Sequence, residues 1–364
     1  MTIIVFIIVL AALVFVHELG HFLAAKSSGI RVDEFGLGFP PTLYKFKRGE
    51  TTYSLNAIPF GGFVKIFGEN PDEESMTGPE KERSFFNKPK YIQAWVLAAG
   101  VIFNIIFAWL LLSLGFMIGM PVPEGYSSST IVQNAVLTIT DVQPGSPAQK
   151  AELKAGDKVI KLQAGYAVAE NLTAEKVQQF VGSRQNQIVT VTFQRGEETK
   201  TVDVIPKTGI VSDRAAIGVG LEQLGTLRLP IHKAVWEAMK MTWYLAKAIT
   251  VGLAVFLYQT VTGNAHLSDV TGPIGIAGMV GDATRLGIVY LLSFTAFISI
   301  NLAVINLIPF PALDGGRLLF VLIEKIKGTP ISSKIANAFN AVGFALLLLL
   351  MLVVTFQDII KLIR

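Results

Sequence analysis

Four long apolar segments constrain this chain more than any other feature. They cover about residues 2–25, 92–120, 286–309 and 336–360, and each is long enough to cross a hydrocarbon core of about 30 Å as a helix of roughly 20 residues. A helix satisfies its backbone amides within the segment, so it is the expected form in lipid. The composition agrees, because 51% of the residues are hydrophobic and only 16% are charged. The sequence therefore predicts a polytopic α-helical membrane protein with four transmembrane helices.

The charged residues and the cysteine count exclude several other classes. The net charge of +4 is modest and is spread along the chain, so we expect no nucleic-acid partner. The chain contains no cysteine, so it has neither a disulfide framework nor a thiolate metal site. A metal site would have to use His, Asp or Glu side chains.

The segments between the apolar runs predict the orientation. Residues 26–91 carry ten Lys and Arg residues, an excess that the positive-inside rule assigns to a cytoplasmic loop. The amino terminus is then expected outside. Residues 121–228 contain alternating β-like runs such as IVTVTF, separated by turn sequences such as PGSP and KAGD. We therefore predict one small soluble domain there, on the outer face.

Residues 229–285 are predicted to form an amphipathic helix and a linker. The apolar stretch 231–262 could be a fifth span, but Lys233, Glu237, Lys240 and Lys247 fall at helical spacing on one face. That pattern favours a helix lying in the membrane interface, against membrane lipid.

The first apolar segment contains the sequence HELGH at residues 17–21. Four residues are about one helical turn, so His17 and His21 face the same side and can bind one metal, while Glu18 can poise a water molecule. Such ionisable groups are costly in hydrocarbon unless they are paired or functional. We interpret the motif as part of a catalytic zinc site; a polar cluster that only holds helices together is the alternative.

A catalytic zinc ion usually takes three protein ligands, so a third must come from elsewhere. His232 and His266 are interpreted as surface or interfacial histidines. Asp314 is the stronger candidate, because it follows the third apolar segment after two prolines that end a helix. An ordinary turn at this LDGG sequence is the alternative. Asp314 reaches the depth of HELGH only if 231–262 does not cross the membrane, which agrees with the interfacial interpretation.

These features together resemble the bacterial site-2 protease family of intramembrane zinc metalloproteases, of the regulator-of-sigma-E protease type. The resemblance rests on HELGH in the first span, IPFGGFVKIFGE after it, AGVIFN in the second span, a PDZ-like insert, and NLIPFPALDGG at the third span. It covers nearly the whole chain. It implies zinc held by His17, His21 and Asp314, with Glu18 as general base. The enteric type of the family carries two PDZ domains in tandem, whereas this chain has room for one.

The resemblance also implies a function. We expect hydrolysis of peptide bonds within transmembrane segments of single-span proteins, such as anti-sigma factors or remnant signal peptides, in regulated intramembrane proteolysis. The expected location is the bacterial cytoplasmic (inner) membrane, with the amino terminus and the PDZ-like domain outside and the active site toward the cytoplasm. A catalytically idle scaffold of the same fold, which binds clients through the PDZ-like domain, is the alternative. Retention of Glu18 favours the enzyme.

Two regions are predicted to bind substrate. Residues 53–68 have β-prone sequence on either side of Gly61 and Gly62, which predicts a hairpin-like loop, including Phe63, whose edge accepts a substrate strand. The family resemblance likewise implies a membrane-associated, reentrant β-loop here; a plain cytoplasmic hairpin is the alternative. Asn306 could bond a substrate carbonyl, whereas Asn104 and Asn301 are interpreted as contacts between helices.

The insert and the domain limits complete the prediction. Residues 142–162 and 216–221 are similar to a circularly permuted PDZ domain, which binds a peptide or a carboxyl terminus; a spacer without ligand is the alternative. The predicted domains are a first membrane half at 1–120, the insert at 121–228, the amphipathic segment at 229–285 and a second membrane half at 286–364.

Overall fold

The computed structural model of the chain describes residues 2–70, 72–126, 132–211, 214–263 and 270–363. The chain forms two compact units. The membrane unit comprises Met1–Leu114, Val235–Thr284 and Leu291–Arg364, and the insert unit comprises Gly115–Ala234 and Arg285–Tyr290.

The helices and strands follow in chain order. The described helices are α1 Thr2–Ser27, α2 Glu73–Thr77, α3 Lys90–Ile118, α4 Pro147–Lys150, α5 Ala174–Gly182, α6 Ile231–Val261, α7 Pro273–Leu286, α8 Ile288–Leu307, α9 Asp314–Lys327 and α10 Ser333–Ile363, with a 3₁₀ turn at Lys81–Arg83. The described strands are β1 Val32–Arg48, β2 Thr51–Ile66, β3 Met120–Pro123, β4 Gln133–Val142, β5 Lys158–Ala164, β6 Ala167–Ala169, β7 Val189–Arg195, β8 Glu198–Val204, β9 Lys207–Val211, β10 Arg214–Ala216 and β11 Val219–Leu227.

Five helices of the described chain are long and apolar enough to cross a membrane: α1, α3, α6, α8 and α10. Four of them coincide with the predicted spans. The fifth is α6, whose most apolar stretch has a mean hydropathy of 1.4 against 2.2 to 2.7 for the others. Its interfacial placement stays a prediction, and so does the number of crossings.

Small residues let α1 and α3 pack backbone against backbone. A Cβ atom on Gly20 would lie 2.5 Å from the Ala99 carbonyl oxygen, so only glycine fits there. Ala24 and Ala25 are buried beside the same contact. On α8, Ser299 is fully buried and its hydroxyl donates to the Asn104 carbonyl of α3, 2.8 Å away. The glycine and alanine contacts hold the last turns of α1 against α3, and the Ser299 hydrogen bond joins α8 to α3.

Strands β1 and β2 form an antiparallel sheet that packs on α1. Both strands bend, so that the segment 32–37 pairs with 62–66 on one side and with 52–55 on the other. The predicted β-structure at 53–68 is present, and Leu37 pairs with both Leu55 and Gly62, so the chain reverses direction between these two residues. A further reversal lies at Gly49 and Glu50, where Gly49 supplies the left-handed conformation of the turn, with φ +64°.

The insert unit is built on a seven-stranded sheet. The strand order is β3, β11, β4, β5, β7, β8, with β6 paired to β5. The alternation predicted in IVTVTF is confirmed, since Val189, Val191 and Phe193 of β7 are buried. They pack with Val177 and Val181 of α5 in a single apolar core.

Candidate metal centre

Three side-chain atoms of the types that bind metals lie close together beside α1. His17 Nε2 lies 3.1 Å and His21 Nε2 lies 3.3 Å from Asp314 Oδ2. The two imidazole nitrogens are 3.2 Å apart. Both histidines are buried and Asp314 is half-buried. The three residues therefore form a nearly equilateral triangle of donor atoms.

The loop between α8 and α9 carries Asp314 to this place. Helix α8 ends at Leu307, and two prolines prevent its continuation before Asp314 opens α9. The two glycines that follow are buried, and a Cβ on Gly315 would run into the carbonyls of Leu307 and Ile308. The turn after α8 is so tight that the two glycines of LDGG are required by space.

The triangle fits a zinc ion. Zinc in a tetrahedral site lies about 2.0–2.1 Å from nitrogen and oxygen ligands, which places neighbouring ligand atoms about 3.3 Å apart. The observed separations are 3.1 to 3.3 Å. Asp314 Oδ2 is also among the buried side-chain atoms of the described residues that make no hydrogen bond. A buried carboxylate oxygen without a hydrogen-bond donor is unfavourable. A cation bound between this oxygen and the two imidazole nitrogens would satisfy it.

One face of α3 supports the two histidines. His21 Nδ1 lies 2.8 Å from the Val96 carbonyl oxygen, and His17 Nδ1 lies 3.2 Å from Asn104 Nδ2. Gly100 stands between these two residues, at helical spacing from both, and a Cβ there would overlap His21 Nε2. Helix α3 thus places the Val96 carbonyl, the space left by Gly100 and the Asn104 amide beside the two imidazoles.

The three groups share one cavity of about 260 Å³ with Glu18. Arg317, one turn after Asp314, also lines it and forms an ion pair with Glu69. The lining residues are His17, Glu18, His21, Gly62, Phe63, Val64, Ile66, Glu69, Leu97, Asp314 and Arg317. Glu18 therefore places a carboxylate beside the triangle of ligand-type atoms without being part of it.

Of the predicted substrate-binding residues, two line the cavity and two do not occur among its described lining residues. Gly62 and Phe63 line the cavity, and a Cβ on Gly62 would lie 3.2 Å from Glu18 Cγ. Gly61 has φ +133° and approaches the Phe39 ring. Asn306 lies in the last turn of α8 and does not occur among the described residues that line the cavity. Its role stays a prediction.

Sequence reasoning missed part of the site. Asn104 makes the predicted contact between helices, from α3 to His17 of α1, but the sequence did not indicate that its partner would be a candidate metal ligand. Asn301, by contrast, donates to Phe297 of its own helix. The signal that could have separated them is spacing, because Asn104 follows Gly100 by four residues in AGVIFN. His232 is exposed on α6, and His266 lies outside the described residues.

A family model described as Peptidase family M50 matches residues 5–350. The chain belongs to peptidase family M50. Similar M50 relatives include zinc metalloprotease RasP of Geobacillus kaustophilus, 31% identical with 99% of this chain and 98% of the relative covered. Another is the regulator of sigma-W protease RasP of Bacillus subtilis, 30% identical with 99% of each covered. Protease RseP of Yersinia pestis is 29% identical with 98% of each covered.

One solved structure is similar to part of this M50 peptidase. It is the PDZ domain of an SdrC-like protein from Listeria monocytogenes, which matches 25% of this chain and 93% of its own at 18% identity, with a TM-score of 0.22.

Proposed function

We propose that this M50 peptidase is an intramembrane zinc endopeptidase of the site-2 type. His17, His21 and Asp314 hold the zinc ion, and Glu18 is the general base. The observation that carries the proposal is the triangle of donor atoms 3.1 to 3.3 Å apart, which shares one cavity with the Glu18 carboxylate. The zinc metalloprotease name of a relative that is similar over the whole chain supports the choice of metal.

The residues of the cavity have different roles in the proposed reaction. When bound, zinc would polarise the scissile carbonyl and acidify a water molecule. Glu18 takes the proton from the attacking water and delivers it to the leaving amine, which requires a carboxylate beside the ligands rather than among them. His21 is held in place by the Val96 carbonyl, so its Nε2 stays directed at the centre of the triangle.

A substrate helix must be locally unwound, because its carbonyls are otherwise hidden in helical hydrogen bonds. The segment 62–66 of β2 is paired with β1 along one edge, and no other described strand pairs with it. Four of its residues line the metal cavity: Gly62, Phe63, Val64 and Ile66. An unwound substrate can add to the free edge by main-chain hydrogen bonds, which brings its backbone beside Glu18.

The proposal extends to substrate and location. We infer that the clients are single-span membrane proteins, and the sigma-factor role in the name of the Bacillus subtilis relative supports anti-sigma factors among them. The basic segment 26–91 supports a cytoplasmic position for the β-sheet and the active site in a bacterial inner membrane. The amino terminus and the PDZ-like insert at 121–228 are then outside, with α6 in the outer interface. The insert is the candidate binder of a peptide or a carboxyl terminus.

The decisive experiment uses the purified full-length chain in detergent with a model single-span substrate. Glu18→Gln should retain zinc and lose cleavage, because Glu18 handles protons without binding the metal. Asp314→Ala should lose both zinc and cleavage. Glu198→Gln, in a solvent-exposed strand of the insert, is the matched control and should behave as the native protein. Full zinc content in Asp314→Ala would remove that residue from the site, and cleavage that survives a zinc chelator would contradict the proposed chemistry.

A further inference from the structure

The two proposed histidine ligands differ in what holds their second nitrogen. A backbone carbonyl can only accept, so the Val96 oxygen 2.8 Å from His21 Nδ1 requires the proton on Nδ1. His21 Nε2 is then unprotonated and free for a metal. The partner of His17 Nδ1 is a side-chain amide, which can either donate or accept. The protonation of His17 therefore depends on how this amide is turned.

Asn104 is fully buried, so the orientation of its amide has consequences. Its backbone carbonyl accepts a hydrogen bond from Ser299 Oγ, which fixes the residue between α3 and α8. Its Nδ2 faces His17, and its Oδ1 is one of the buried atoms without a hydrogen-bond partner in the described chain. The amide oxygen and nitrogen have nearly the same shape, so a half-turn about χ2 exchanges them in the same space.

We propose that Asn104 is a positioning residue for the metal centre. With Oδ1 turned toward the imidazole, Asn104 accepts the Nδ1 proton of His17 and leaves His17 Nε2 as the metal-binding nitrogen. This inference rests on the proposed zinc site. In the opposite orientation Nδ2 donates to Nδ1, and the imidazole proton sits on Nε2, directed at Asp314 Oδ2 only 3.1 Å away. That proton occupies the place of the metal.

The geometry of α3 explains why a side chain is needed for His17. A Cβ at Gly100 would overlap His21 Nε2, so the absence of a side chain there leaves room for the ring whose Nδ1 reaches the Val96 carbonyl. His17 lies one turn earlier on α1, beside Gly100 and Asn104. The Asn104 amide therefore supplies at His17 the acceptor that the backbone supplies at His21. A residue that only joined two helices would not need to end at an imidazole nitrogen.

Zinc affinity of the full-length protein in detergent, measured by competition with a chelating dye, tests the inference. Asn104→Leu keeps the volume and removes the acceptor, and we expect affinity to fall about 10- to 100-fold, the usual effect of losing such a partner. Asn104→Asp keeps an acceptor of the same shape and cannot donate, so its affinity should equal or exceed that of the native protein. Asn301→Leu is the matched control, because Asn301 bonds only within α8 in the described structure and should leave affinity unchanged.

A second measurement reports on the proton itself. The chain contains four histidines, so selective ¹⁵N labelling of the imidazoles gives a tractable spectrum. In the zinc-loaded native protein the Nδ1 of His17 should carry a hydrogen-bonded proton, and this signal should lose its hydrogen-bond shift in Asn104→Leu.

The outcomes separate cleanly. Native affinity in Asn104→Leu would overturn the inference, and so would an Asn104→Asp variant as weak as Asn104→Leu, because the acceptor would then not matter. Failure of the native protein to bind zinc would instead refute the proposed function.

Discussion

Gly100→Ala is the sharpest test of how α1 and α3 share the metal centre. A Cβ at this position would lie 2.7 Å from His17 Cε1 and 2.9 Å from His17 Nδ1, and it would overlap His21 Nε2. Ordinary van der Waals contact begins at about 3.5 Å, so the His17 ring must shift by roughly 0.8 Å and the His21 ring by more. Metal sites tolerate errors of only about 0.2 Å in ligand distance.

The expected cost follows from that mismatch. A displacement approaching 1 Å at a catalytic centre is worth about 100-fold in rate, so cleavage of the model substrate should fall by at least that factor. Zinc affinity should fall by at least about 10-fold, because both histidines move together. The added methyl group should also strain the helix contact by about 1–3 kcal/mol. Helix propensity works in the other direction, since alanine in a helix is favoured over glycine by roughly 0.5–1 kcal/mol.

The assay combines zinc competition, thermal unfolding and cleavage in the same detergent. Gly278→Ala is the matched control, because this glycine lies within α7 and a Cβ there would meet nothing within 4 Å. The control should keep native zinc affinity and activity. Retention of zinc affinity within about 3-fold in Gly100→Ala, well short of the expected loss, would refute the close approach of α3 to the two imidazoles.

Three further predictions concern other parts of the chain. In this cysteine-free protein, cysteines at Lys240 and Lys247 should react with an impermeant thiol reagent from the same side as one at Ser183; labelling from the cytoplasmic side alone would contradict an interfacial α6. Deletion of 128–208 should leave cleavage of short substrates largely intact and allow cutting of clients that keep their outer domains; continued resistance of those clients would exclude a size gate. Hydrogen bonds from Lys26 and Arg83 lower the pKa of Glu50 below its ordinary 4.5. Stability from this carboxylate is therefore present above about pH 4.5 and lost as pH falls further, so the Tm difference between the native protein and Glu50→Gln should be larger at about pH 7 than at about pH 3.5.

Much of the membrane architecture was predictable from the sequence. Apolar segments of spanning length can hardly be anything but helices, and the structure has helices at all four predicted segments. The pairing of HELGH with LDGG was predictable for a different reason. Zinc chemistry demands a third ligand, and in a chain without cysteine few residues qualify. The distance between His17 and Asp314, which the sequence separates by most of its length, agrees with that reasoning.

The parts that sequence reasoning missed depend on packing between elements. The turn at Gly49 and Glu50 lies outside the predicted loop at 53–68, and register against β1 decides where the chain reverses. Asn104 was predictable only as a contact between helices, the usual role of a lone polar residue in a span, and its partner His17 was not predictable. Its role appears only when α1 and α3 are in register, with Val96, Gly100 and Asn104 spaced along one face.

The distribution of the site over the chain bears on what the insert does. Every described residue that lines the metal cavity belongs to the membrane unit, on α1, α3, α9 or the segment around β2. The insert unit supplies none of them, although it lies between Asn104 and Asp314 in the chain. Packing of α1, α3 and α8 positions the proposed ligands, through contacts such as that from Ser299 to Asn104. We therefore expect the insert to influence cleavage through which substrates reach the cavity, and not through the chemistry of the proposed site.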